Sequence, residues 1–170
     1  DGSWSGDSTG ILAISVTERP HIKVIDLWER PDTDQGGWRV PVEDVEQAFR
    51  DACRAQSVVE AGMDPYRWQR SMQVLENEGL PMLEFPMGSP ARMITAWKTF
   101  FDLVMDCNVT HDGDPRLARH VEAMVLKIDR LGARPTKDAR VANAHIDLGV
   151  CAVAGVDRAC WHALNGAEAG

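Results

Sequence analysis

The sequence predicts an α/β fold with a mixed central sheet flanked by helices. Three observations lead there. Short β-branched runs alternate with longer segments of helical period. Proline and capping residues stand at the helix starts. Composition is ordinary for a globular chain, with 44% hydrophobic and 26% charged residues in 170, enough to bury a core without disulfides or metal staples.

Gly10–Val16 is an apolar, β-branched run and His21–Glu29 partly alternates, so the two are expected to pair as an antiparallel hairpin across Thr17–Pro20. Pro31–Gly37 reads as a loop. From Pro41 the period becomes helical through Val42, Val45, Ala48, Phe49 and Cys53, and Glu43, Asp44 and Glu46 suit the positive end of a helix dipole. Ser57–Ala61 is read as a strand. Asp64-Pro65 opens a helix over Tyr66–Glu78, which Gly79 stops. Leu80–Phe85 is a further strand, and Ser89-Pro90 starts a helix to Cys107. Val109–His111 is extended, Asp114-Pro115 opens a helix to Leu126, Lys127–Ala144 reads as irregular and basic, and Ile146–Leu164 is the last helix.

Composition narrows the function. The longest uncharged apolar stretch, Leu148–Val156, is too short to span a membrane. No basic, apolar leader opens the chain, so a cytoplasmic location is expected. Cys53, Cys107, Cys151 and Cys160 show no Cys-x-x-Cys spacing and fall in helical apolar patterns, which predicts buried thiols rather than a zinc site. No Walker A loop is present. His111, His120 and His145 lack ligand spacing, and surface or core-edge places suit them. Most of the six tryptophans should anchor the core.

Net charge is −8, yet Arg116, Arg119, Lys127, Arg130, Arg134, Lys137 and Arg140 make one stretch net positive. That stretch is either a solvated face or a track for a DNA backbone, and the contrast with the acidic remainder favours the track.

Three aspartates stand out. Asp1 heads a Gly/Ser turn, Asp64 ends a strand between Met63 and Pro65, and Asp147 sits between Ile146 and Leu148 on an apolar helix face. Carboxylates beside apolar neighbours must pair or bind a cation. A convergent set of three would suit Mg²⁺ or Mn²⁺, and two such ions can drive phosphodiester hydrolysis. Each also has a plain structural reading: Asp64 as a helix cap, Asp147 as a complement to a helix dipole, Asp1 as a turn residue. Spacing alone does not join them.

A family resemblance does. Asp1-Gly2-Ser3-Trp4-Ser5-Gly6-Asp7-Ser8-Thr9 resembles the opening of the nuclease domain of phage terminase large subunits. Ala61-Gly62-Met63-Asp64-Pro65-Tyr66-Arg67-Trp68 is similar to that family's second acidic motif, and His145-Ile146-Asp147 to its third. His111-Asp112-Gly113-Asp114-Pro115, with Leu117 and His120, resembles its penultimate helix. The resemblance implies a ribonuclease H-like fold with a truncated first strand, one nuclease domain over 1–170, and an ATPase motor domain elsewhere in the parent protein.

It also implies an endonuclease using two Mg²⁺ or Mn²⁺ ions to cut concatemeric double-stranded phage DNA during packaging. Asp1, Asp64 and Asp147 would be catalytic and metal-binding, and Asp7 an outer ligand. The small terminase subunit and the portal would be partners. The sequence departs from the family pattern at His145, where Lys is usual, at Ala123, where Asn is common, and at Leu148-Gly149, where a small pair is usual. A resolvase- or transposase-type nuclease, or an inactive prophage remnant that binds DNA or a packaging partner, are the alternatives.

Overall fold

A computed structural model describes residues 8–31, 33–34, 36–138, 140–141 and 144–166. The hairpin forms as expected: β1 (Thr9–Ile14) pairs antiparallel with β2 (His21–Trp28), with a register shift between Ile11 and Leu12. Helix α1 (Val42–Ala55) follows, then β3 (Ala61–Met63), α2 (Pro65–Asn77), β4 (Met82–Glu84) and α3 (Pro90–Met105). Next come β5 (Thr110–His111), α4 (Pro115–Glu122), β6 (Met124–Asp129), β7 (Gly132–Lys137) and α5 (Asp147–Asn165).

The mixed sheet is hydrogen-bonded in pieces. The order β1-β2-β5 makes one, with β5 parallel to β2, and β3 pairs parallel with β4. Its two sides carry separate apolar clusters. On one side α5 packs with α3 and α4 through Leu148, Val153, Val156, Ala96 and Leu117. On the other, α1 and α2 bury Val45, Trp68, Met72 and Leu75 against Ile11 and Met63. Burial of α5 is nearly complete along its first half, where every residue from Asp147 to Ala154 is buried.

Close approach explains the unusual Leu148-Gly149 pair. Gly10 leaves room on β1 for the Leu148 side chain, and a Cβ there would strike it. A Cβ on Gly149 would meet Met124 Sδ at 2.8 Å and the His120 carbonyl at 3.2 Å. The small residue that faces Leu148 thus stands on the strand.

Four sequence expectations need correction. The strand expected at Ser57–Ala61 begins only at Ala61, because Val58 N–H turns back to the Gln56 carbonyl and Val59 is exposed. The helix expected to reach Leu126 ends at Glu122, with Ala123 as its C-cap.

The stretch read as irregular contains the antiparallel hairpin β6-β7, closed between Asp129 and Gly132, where Gly132 takes φ 137° and Asp129 accepts the Leu131 N–H. Finally, Cys107 is exposed rather than buried. It sits past α3 at φ 53°, in the left-handed turn that caps the helix, with its N–H on the Val104 carbonyl.

Candidate functional site

Asp64 follows the last residue of β3 and is half-buried. Its Oδ1 accepts the Tyr66 N–H at 3.0 Å, so it caps α2, with Pro65 in the first turn. The plain reading of Asp64 therefore holds, and the capping bond leaves its other oxygen for other work. The side chain lines a cleft of about 600 Å³ between β1 and the Ser57–Asp64 segment, covered by α1 and α5. It also lines a smaller cavity of about 310 Å³ with Val150, one turn along α5 from Asp147, and with Arg134. Asp64 and the first turns of α5 thus border one cavity, which Asp147 itself does not line.

Asp147 is the first residue of α5 and is buried, with 4% exposure. The Ser8 hydroxyl donates to its Oδ2. That contact joins the beginning of β1 to the beginning of α5. Asp1 and Asp7 lie outside the described residues. Among the described residues, no group of three His, Cys, Asp or Glu side chains is close enough to hold a metal ion.

Around Asp147 stands a polar network that sequence reasoning missed. His120, at the end of α4, is fully buried rather than at a core edge. Its Nδ1 accepts the Leu148 N–H at 3.1 Å. That fixes the proton on Nε2, which donates to Glu29 Oε1 at 3.1 Å. Glu29 Oε2 accepts from Arg119 Nη2 at 2.6 Å. The His145 ring lies against that of His120, with centroids 6.2 Å apart and planes 22° from parallel.

Burial lowers the His120 pKa, and the opposing pull of Glu29 and Asp147 does not restore it. The ring is neutral, as an Nδ1 that accepts a hydrogen bond requires. Burial also works to raise the Glu29 pKa, but hydrogen bonds from Arg119 and His120 outweigh it and hold the carboxyl below its usual range. The signal in the sequence was the position of His120 in the apolar Leu117–Val121 stripe of a strongly amphipathic helix.

The basic stretch is mostly neutralised in place. Arg116 is bound by Asp114, Arg119 by Glu29, Arg134 by Asp129 and Arg140 by Asp138. Lys127 and Arg130 project from the β6-β7 hairpin and are exposed. Beside them Ile128 and Leu131 are exposed too, at 76% and 61%.

No family model matches the chain. It is similar to the "Gene 13 protein" of Mycobacterium phage L5, 29% identical over 168 residues, and equally to that of Mycobacterium phage D29. The alignment covers 90% of this chain but only 27% of either relative, so the chain spans about a quarter of their length. The crystal structure of the HK97 bacteriophage large terminase superposes with a TM-score of 0.73 at 18% identity, covering 91% of this chain and 37% of that one. Over nine-tenths of its length, the chain has the fold of part of the HK97 phage large terminase.

Proposed function

We propose that this domain is a metal-dependent endonuclease of a phage DNA-packaging terminase, hydrolysing phosphodiester bonds of double-stranded DNA. The observation that carries the reading is that Asp64 lines one cavity with Val150, one turn along α5 from Asp147, in a chain that shares its fold with part of a large terminase. The donor chemistry fits a hard divalent cation. Both side chains offer only carboxylate oxygens, and Asp147 is held ready by the Ser8 hydroxyl. Asp1 and Asp7 would complete the set. Bound Mg²⁺ or Mn²⁺ would supply an activated water and offset charge on the scissile phosphate.

The chain's own residues would do the positioning. The short β3 and the capped start of α2 fix the Asp64 backbone. The packed first half of α5 fixes Asp147 and excludes water from its apolar flank. Lys127 and Arg130, unlike the four paired arginines, form no ion pair among the described residues and carry charge that DNA phosphates can take. In a polypeptide of the relatives' length, a motor domain would supply further grip, and the portal and small subunit would be its partners.

The test is cleavage of linear duplex DNA with and without Mn²⁺. Asp64→Asn and Asp147→Asn should each abolish Mn²⁺-dependent cutting while the fold survives, and the exposed Asp51→Asn should not. Equal cutting by all four proteins would refute the assignment. Preference for branched junctions over linear duplex would instead move the domain to the resolvase type.

A further inference from the structure

The start of α5 has a local problem that the rest of the chain must solve. Its N-cap is Ile146, which has no side-chain acceptor, and no side-chain cap bond is made there. The first amides of a helix lack partners within the helix, and a buried orphan N–H is costly. Val150 N–H is the first to bond within the helix, at 2.8 Å to the Ile146 carbonyl. Leu148 N–H, two residues earlier, is fully enclosed and finds its acceptor 28 residues away, on His120 Nδ1.

We infer that His120 is a positioning residue for Asp147, acting as a cap supplied from α4, with its tautomer set by Glu29. This rests on the nuclease reading for what Asp147 then does. The argument is geometric. A peptide plane joins Asp147 to Leu148, so the bond to Leu148 N–H restrains the orientation of the residue that carries the carboxylate. Only a histidine with its proton on Nε2 can accept at Nδ1. Glu29 accepts that proton, and Arg119 holds Glu29 from its other oxygen. The ring cannot swing away, because it is fully buried and lies against His145. The backbone carbonyl of His120 also faces Gly149, where an added Cβ would lie 3.2 Å from it. The contact therefore passes through main chain on both helices.

Two isosteric variants separate the two ring nitrogens. His120→Asn places an amide oxygen near the Nδ1 position and gives up Glu29. His120→Gln reaches toward Glu29 and gives up the cap. Both lose packing, so stability alone does not distinguish them. Mn²⁺ affinity, measured by electron paramagnetic resonance on the full chain, does. Loss of a residue that orients a ligand typically weakens a metal site roughly 10–100-fold. We expect that loss in His120→Gln and a change of no more than a few-fold in His120→Asn. Hydrogen exchange at the Leu148 amide should accelerate in His120→Gln only.

Wild-type affinity in His120→Gln, with Mn²⁺ bound by the parent, overturns the inference and leaves the nuclease reading intact. Absence of Mn²⁺ binding by the parent itself refutes that reading. The exchange of Leu148 then decides the inference, which equal rates in all three proteins would overturn. Should His120→Gln not fold, Glu29→Leu removes the group that sets the tautomer and should also weaken Mn²⁺ binding and speed Leu148 exchange. No change in either would likewise overturn it.

Discussion

The two ends of α5 are held by the same three residue types. At its start stand Arg119, Glu29 and His120, and near its end Arg158, Glu60 and His162. In both, a glutamate takes a guanidinium and an imidazole Nε2, on separate oxygens at Glu29 and with Arg158 spanning both oxygens at Glu60, where His162 shares Oε2. The difference lies in what is buried. At the start the histidine is fully enclosed while Arg119 is 55% exposed. At the end the glutamate and arginine are enclosed, at 13% and 17% exposure, and Arg158 also covers the Trp161 ring at 4.5 Å. One triad serves a backbone amide through its imidazole. The other is an ion pair that ties the last helix to the residue before β3. Identical chemistry thus does different work according to which member the fold encloses.

The largest way to break this comparison is His120→Ala. It orphans the Leu148 N–H, worth about 1–3 kcal/mol, and opens a cavity, so a loss of about 3 kcal/mol in urea unfolding is expected. His162→Ala, at a site 22% exposed, should cost about 1 kcal/mol or less. Equal losses would erase the distinction.

The arginines should rank the other way. Arg158→Ala strands a largely enclosed Glu60 and should cost about 2 kcal/mol, as charged hydrogen bonds do. The exposed partner Arg119→Ala should cost no more than about 1 kcal/mol. The same urea titration reads both.

Stability against pH sharpens the contrast. Burial lowers the His120 pKa below its ordinary 6.5. The unfolded chain therefore takes up the proton first, and stability falls as pH drops below 6.5 toward the folded value. Hydrogen bonds from arginine and histidine, against the opposing effect of burial, lower the carboxyl pKa of Glu29 and of Glu60 below the ordinary 4.5. Their contribution is present above 4.5 and is lost as pH falls through the folded values. Two steps are expected in a series of urea titrations across pH, and His120→Asn should remove the upper one. Persistence of that step in the variant would assign it elsewhere.

The smallest effect concerns DNA. Lys127→Ala with Arg130→Ala should lower the salt slope of duplex binding by about 0.9 per lost phosphate contact. Arg116→Ala with Arg140→Ala should change it less, since those charges are already paired. The reverse order would place the DNA path along Arg116 and Arg140 instead.

The helices and the first hairpin were legible because their signals are local. Asp64 and Asp114 each precede proline, and each caps a helix with its own carboxylate. Gly79 stops α2 at φ 90°. The β6-β7 hairpin was not legible, because Pro135 and a run of charges mask the alternation around Gly132. The aspartates at 64 and 147 were found through a strand end and an apolar helix face. Their support was not. Ser8, Glu29 and His120 are ordinary in the sequence, and their roles arise from pairings across 139, 91 and 28 residues. Residues 1–7, which carry Asp1 and Asp7, lie outside the described structure.

The Ser8–Asp147 contact spans almost the whole chain, and that has a consequence for how the protein is made. Asp64 is set by its own neighbours: a three-residue strand, a proline and the first turn of α2. It can be in place as soon as that segment leaves the ribosome. Asp147 acquires its surroundings only when the start of β1 meets the start of α5, 139 residues away. Closing so long a loop is the entropically expensive step that non-local contacts impose on folding rate. The half of the site on β3 is therefore set locally, and the half on α5 awaits a long-range closure.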